Sequence, residues 1–307
     1  MALPLNCPLC ESNNENQSVE TKHVYGDTEK KHAFFHCLNC DVRYLFPRLT
    51  FEDESKFYAS EFEAFMSSRS GVHGGWDNAE KHISVNEDNR IRRMNYIQPK
   101  LKENTTILEV GCSSGFMLFP LINQGHFCTG VEPSGVFQEY LTYRGIENYP
   151  NLENIPENKK EEGFDIIMHF FVLEHISNPV DFLKSQLYLL KPNGKIIFEI
   201  PSIADPLHSI FDIPAFERFY WSIAHPWYFN ENSLEFLMKQ IGEPFEIIRD
   251  QRYDLSNHMV WARDGIPGGM GCFSEKLGNE IEILYRQNLI QKGYCDTLIG
   301  ILSKDEI

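Results

Sequence analysis

From Thr106 onward, short apolar runs alternate with amphipathic stretches of helical period. Thr106-Ile107-Leu108-Glu109-Val110 reads as a buried strand. Residues 114–124 place Met117, Leu118, Leu121 and Ile122 on one helical face, with Pro120 kinking the helix unless it falls within the first turn. Phe127–Val131 is a second strand, 134–144 a second helix, 146–149 a weak third strand and 164–169 a fourth. A helix opening on Pro179 carries Leu183, Leu187 and Leu190 on one face, Lys191-Pro192-Asn193-Gly194 is a turn, and 195–200 is a fifth strand. A helix over 233–241 is stopped by Gly242, and 245–249 with 258–263 read as a closing pair of strands. After a flexible joint at 265–271, residues 273–292 form a last helix. Upstream, Ile91, Met94 and Ile97 mark a helix within 84–101, and 51–66 form a short one. Strands alternating with helices imply an α/β fold whose mostly parallel sheet is covered on both faces.

The N-terminal segment breaks this pattern. Cys7-Pro8-Leu9-Cys10 and Cys37-Leu38-Asn39-Cys40 are two C-x-x-C units separated by 26 residues, and His32–His36 feeds the second as a strand. Each unit wraps two thiolates around one ion, so the four cysteines complete a tetrahedral zinc site, the build of a zinc ribbon. A full thiolate shell leaves no open position, so the zinc is expected to be structural. The organisation expected is a ribbon over 1–50, a linker with a short helix over 51–83, a catalytic domain over 84–263 and a helical and strand extension over 264–307.

Charge narrows the partners. The chain has 28 Lys+Arg against 44 Asp+Glu, a net charge of −16, and the ribbon carries five basic and six acidic residues. An acidic surface disfavours phosphate neutralisation and anionic lipid, so neither nucleic acid nor membrane is expected as a partner. There is no secretory pattern after Met1 and no apolar run of about 18 residues, which leads to the expectation of a cytoplasmic protein. Nothing in the sequence sets an oligomeric state.

The chemistry concentrates after the first strand. In Glu109-Val110-Gly111-Cys112-Ser113-Ser114-Gly115, a glycine-bearing turn lets backbone approach a ligand and aims a helix N-terminus at it. The next strand ends in Val131-Glu132-Pro133, with Glu132 17 residues beyond Gly115, where a carboxylate can accept both ribose hydroxyls of an adenosine.

Glu109-x-Gly111-x-Ser113-x-Gly115 resembles motif I of class I S-adenosylmethionine (SAM)-dependent methyltransferases, with Ser113 in place of the middle glycine. Glu132, the fourth-strand stretch 164–167 with Val172-Leu173-Glu174-His175-Ile176, and Leu190–Lys195 match further motifs in order. The resemblance implies a Rossmann-like, seven-stranded mostly parallel sheet. It implies SAM as co-substrate, held by Glu109, Gly111, Cys112, Ser113, Ser114, Gly115, Glu132, Pro133, His169 and Phe170. Together with the ribbon, it is similar to bacterial methyltransferases that act on sugars or polysaccharide precursors.

Methyl transfer is mainly a positioning task, and a neutral imidazole can take the proton of a hydroxyl or amine acceptor. His175 and His225 fall near the carboxyl ends of the fourth and fifth strands and are the candidate catalytic bases. The segment 201–230, broken by four prolines and filled with rings, is the candidate substrate lid. Lys81, Arg90, Arg92 and Arg93 read as a solvated helix face. The expected acceptor is a small polar molecule, sugar-like or nucleotide-linked. The alternative is an RNA or protein methyltransferase that uses the ribbon for recognition.

Overall fold

A computed structural model describes residues 3–49, 76, 78–133 and 135–305. The short helix expected at 51–66 and most of the loop at 67–78 lie outside the described residues.

Two sheets organise the chain. The larger has seven strands: β4 (Thr106–Val110), β5 (Phe127–Val131), β6 (Glu147–Tyr149), β7 (Phe164–Phe170), β8 (Leu190–Pro201), β10 (Phe245–Asp250) and β11 (Thr297–Ser303), in the order β10-β11-β8-β7-β4-β5-β6. Strands β4 to β8 are parallel, while β11 runs antiparallel to both neighbours. Ile107, Leu108, Ile167, Ile197 and Ile299 are fully buried, as a sheet covered on both faces requires. This is the mostly parallel α/β sheet that the alternation predicts, in the seven-stranded Rossmann-like form that the resemblance implies.

The sheet's closing pair differs from the expectation. Residues 258–263 are helical, within α10 (Leu255–Asp264), and the second closing strand is β11. Asp254 caps α10 by accepting from the Asn257 N–H at 2.8 Å, and Gly265 ends it in the left-handed region at φ 67°. The strand signal was the run Leu298-Ile299-Gly300-Ile301-Leu302, which lies inside the segment expected as an extension. A Cβ at Gly300 would stand 2.2 Å from the Phe198 ring, so glycine is what lets β8 and β11 pair. The turn expected at 191–194 is instead a bulge within β8, where the register steps from Phe164–Leu190 to Ile166–Lys195.

The smaller sheet joins the N-terminal module to the rest. Its strands β1 (Gln17–Thr21), β2 (Ala33–Cys37) and β3 (Arg43–Phe46) form an antiparallel meander. The fourth strand, β9 (Trp227–Tyr228), comes from the C-terminal half of the chain and pairs Arg43 with Tyr228 and Tyr44 with Trp227. Leu45 N–H also donates to the Pro226 carbonyl at 2.9 Å, and Gln240 reaches the Leu9 carbonyl at 3.1 Å. The module is therefore packed into the main core rather than tethered beside it.

Candidate functional site

A cavity of about 1130 Å³ opens at the carboxyl ends of β4, β5, β7 and β8, where chain connections leave the sheet in opposite directions. That switch point is where open α/β sheets bind ligands. Glu109, Gly111, Ser113, Glu132, Pro133 and Phe170 line it.

The turn after β4 is built for close approach. Gly111 has φ +71°, and a Cβ there would meet the Val172 side chain at 2.6 Å. Ser113 also adopts a positive φ of 44°, and its N–H donates to Glu132 Oε2 at 2.6 Å. This bond ties the turn to the end of β5. Glu109 is buried, and burial, then the neighbouring Glu132, push its carboxyl well above the ordinary range while Arg93 pulls it down. Its Oε2 has no hydrogen-bond partner among the described residues. A cavity at a glycine turn, with two carboxylates and unfilled acceptor capacity, fits an adenosine-bearing sulfonium ligand.

Four of the residues expected at the cofactor do not line the cavity. Cys112 is fully buried among core side chains, with only its backbone in the turn. Ser114 is buried and bonds His82 Nδ1 at 2.9 Å, and Gly115 packs against Leu141. The His169 side chain turns away from the cavity. Successive strand residues face opposite sides of a sheet, so Phe170 meets the cavity while the His169 ring stacks on Phe198 at 5.1 Å and 6°. Burial holds His169 neutral, its pKa lowered to about 3.

Residues the sequence did not single out complete the walls. Helices α1 (Ala79–Val85) and α2 (Glu87–Ile97) bring His82, Asn86, Asn89 and Arg93 over the cavity, with Trp76 packed on His82. Arg92 and Arg93 are not on a solvated face. Both bond the fully buried Glu199, at 2.5 and 2.6 Å, and Arg92 also bonds Asp250. Burial alone would raise the Glu199 carboxyl, but the Arg93 and Arg92 charges bring it down to about 2. Arg93 lies 4.3 Å over the Phe170 ring and Arg252 4.4 Å over Phe171. The single signal for this cluster was a charged helix facing a strand that carries its own acid at Glu199.

Glu174, His175, His225, Phe219, Tyr220 and Tyr253 line the same cavity. His175 Nδ1 lies 2.6 Å from the Ala224 carbonyl, so that nitrogen donates and Nε2 is the one turned to other partners. The two imidazoles meet edge-on at 4.6 Å. Within 201–230, Trp221, Trp227, Tyr228 and Phe229 are core side chains, whereas Phe216, Phe219 and Tyr220 face the cavity.

The N-terminal cysteines converge as well. The four sulfurs lie within 4.8 Å of one another, with Cys7 and Cys40 at 3.8 Å and Cys10 and Cys37 at 3.6 Å. Zn–S bonds of about 2.3 Å in a tetrahedron space the sulfurs about 3.8 Å apart, so the cluster fits zinc. Leu9 N–H and the Asn39 and Gln17 amides point at the sulfurs, as donors around a thiolate site do.

Residues 83–248 match the family described as methyltransferase domain. A tRNA U34 carboxymethyltransferase of Hydrogenovibrio crunogenus is 27% identical over 169 residues, 50% of this chain and 49% of that one. A ubiquinone biosynthesis O-methyltransferase of Actinobacillus pleuropneumoniae is 29% identical over 118 residues, 34% of this chain and 50% of that one. The chain thus spans about half the length of the curated relatives it matches. A SAM-dependent methyltransferase structure from Thermotoga maritima superposes with TM-score 0.50 at 19% identity, covering 80% of this chain and 98% of that one, and shows the shared fold. The relatives named for tRNA overturn the expectation of a small-molecule acceptor without nucleic acid. Net charge is a whole-chain sum, and it says little about the few side chains that meet a substrate.

Proposed function

The chain belongs to the methyltransferase domain family, and from that membership we propose that it transfers the methyl group of SAM to a nucleoside of an RNA, the acceptor class its tRNA-modifying relatives are named for. SAM supplies an electrophilic carbon on a sulfonium. In this reading Glu132 accepts from the ribose hydroxyls, the backbone of Gly111 and Ser113 lies along the methionine moiety, and Phe170 packs beside it. His175 Nε2 is the base that receives the acceptor's proton, and His225 stands next to it.

The observation that carries the reading is the single cavity joining these two halves. It runs from Gly111 and Glu132 to His175 and His225. Its acceptor end supports a flat ligand, since Phe171, Phe219 and Tyr253 line it and the Arg252 guanidinium lies over the Phe171 and Tyr253 rings. Bases taken out of a stack are held by such aromatic and guanidinium surfaces. We read Cys7, Cys10, Cys37 and Cys40 as a structural zinc site that braces β9 and hence the loop bearing His225. Among the described residues, no helix is long and apolar enough to cross a membrane.

The test is transfer of label from methyl-labelled SAM to bulk tRNA by the full chain. Label that becomes nuclease-sensitive supports the reading. SAM binding with no RNA labelling across tRNA from several bacteria would sink the acceptor assignment while leaving the cofactor half intact.

A further inference from the structure

Glu174, His175 and His225 have more in common than a wall of the cavity. One ligating atom from each lies within 4.8 Å of the others. His175 Nε2 is 4.0 Å from Glu174 Oε1. The donors of an ion with bonds of about 2.0–2.1 Å sit about 3.0–3.4 Å apart, so the Glu174–His175 pair needs about 1 Å of convergence and no pair needs more than about 2 Å. The two imidazoles stand at 89°. Crossed in this way, both can aim a nitrogen at one point without stacking.

The three residues are held in place by a second layer. Glu174 and His175 lie on the single turn Leu173–His175 after β7, and His225 lies on the loop before β9. The His175 bond to the Ala224 carbonyl at 2.6 Å joins these two segments. A second bond, from Trp227 Nε1 to the Ile176 carbonyl at 2.9 Å, joins them again one residue further along the first segment. Orienting an imidazole through its other nitrogen to a carbonyl is how metal-ligating histidines are fixed. Glu174 is 1% exposed, so its carboxylate has little bulk water to solvate it.

We propose that Glu174, His175 and His225 bind a divalent first-row transition-metal ion at the acceptor end of the cavity. Two imidazoles and one carboxylate suit Mn²⁺, Fe²⁺, Co²⁺ or Zn²⁺ better than Mg²⁺, which prefers an oxygen shell. Three protein ligands leave positions open, and all three residues line the cavity, so those positions face the acceptor. An acceptor oxygen bound there is held and polarised beside the group it receives. With the ion bound, His175 Nε2 is its ligand and no longer a base, so the polarised acceptor gives up its proton to solvent; ion binding itself does not depend on which acceptor the enzyme uses.

Manganese separates this site from the cysteine cluster, because thiolates select softer ions. Full-length protein is titrated with Mn²⁺, with free ion read by electron paramagnetic resonance. Wild type is expected to take up one Mn²⁺ per chain, with the enhanced water-proton relaxation of an ion that keeps exchangeable water. His225→Ala and Glu174→Gln are each expected to weaken uptake at least about 10-fold. The proposal is overturned if wild type binds no Mn²⁺, or if folded variants bind it as wild type does. Should the variants not fold, Co²⁺ added to wild type decides. A bound cobalt spectrum free of sulfur charge-transfer intensity supports the site, and a sulfur-only spectrum rejects it.

Discussion

The His175 Nδ1–H donates to the Ala224 carbonyl at 2.6 Å, and Ala224 is one residue before His225. This one bond fixes the tautomer of His175 and sets the distance between the two histidines. The loop that supplies Ala224 runs into β9, which is hydrogen-bonded to β3 of the cysteine module. A site at the carboxyl edge of the large sheet is thus positioned by a strand pair in the small one.

His175→Ala is expected to lower the rate of transfer about 100-fold or more, the usual worth of a positioned base. Affinity for SAM should stay within about threefold of wild type, because the residue acts on the acceptor side. Single-turnover label transfer and calorimetric SAM titration measure the two quantities. An equal loss in both would move His175 to the cofactor side.

Gly111→Ala places a methyl 2.6 Å from Val172 on a backbone at φ +71°. The strain is expected to destabilise the protein by about 1–3 kcal/mol and to displace the turn from the ligand. Urea denaturation and SAM titration report the two effects. A variant with wild-type stability and affinity would show that the turn does not need glycine.

His169 makes stability sensitive to acid. Its pKa is lowered by burial to about 3, below the ordinary 6.5, so the unfolded chain binds the proton and the folded chain does not between those values. Stability from this source is complete above about pH 6.5 and is lost as pH falls toward about 3. His82, lowered to about 4 by burial and then by Arg93, acts in the same direction. His169→Phe is therefore expected to lose less stability between pH 7 and 5 than wild type, by on the order of 1–2 kcal/mol. Denaturant melts across that range measure it, and parallel curves for the two proteins would contradict the assignment.

Cys37→Ser removes one thiolate of the cluster. The expected outcome is loss of bound zinc by elemental analysis, a lower melting temperature, and a fall in transfer rate larger than the fall in SAM affinity. That split follows from the pairing of β3 with β9 upstream of the acceptor side. A variant with full activity and no zinc would show that the module does not brace the site.

The strands that hold the cavity were legible because each is a short apolar run between turn residues, and the glycine turn with Glu132 was legible from spacing. Strand β11 was left in the C-terminal extension because its run lies beyond three helices, and sequence distance hides a partner that inserts between β8 and β10. Arg92 and Arg93 were misread because a buried ion pair looks like a solvated one until Glu199 is seen opposite them. The side-chain direction of His169 was not legible from motif matching, since a strand's alternation sends it away from the cavity that Phe170 lines. The link between the cysteine module and His225 was not legible at all. It depends on β3 pairing with β9, more than 180 residues away in the chain.

Glu132 is expected to hold the nucleoside of the co-substrate, tied as it is to the turn through the Ser113 N–H. Calorimetric titration of S-adenosylhomocysteine into wild type and Glu132→Ala tests this directly. The prediction is one site per wild-type chain and about 10- to 100-fold weaker binding in the variant, the worth of one or two hydrogen bonds to a charged acceptor. Wild type that gives no binding heat, or a folded Glu132→Ala that binds as tightly as wild type, would contradict it.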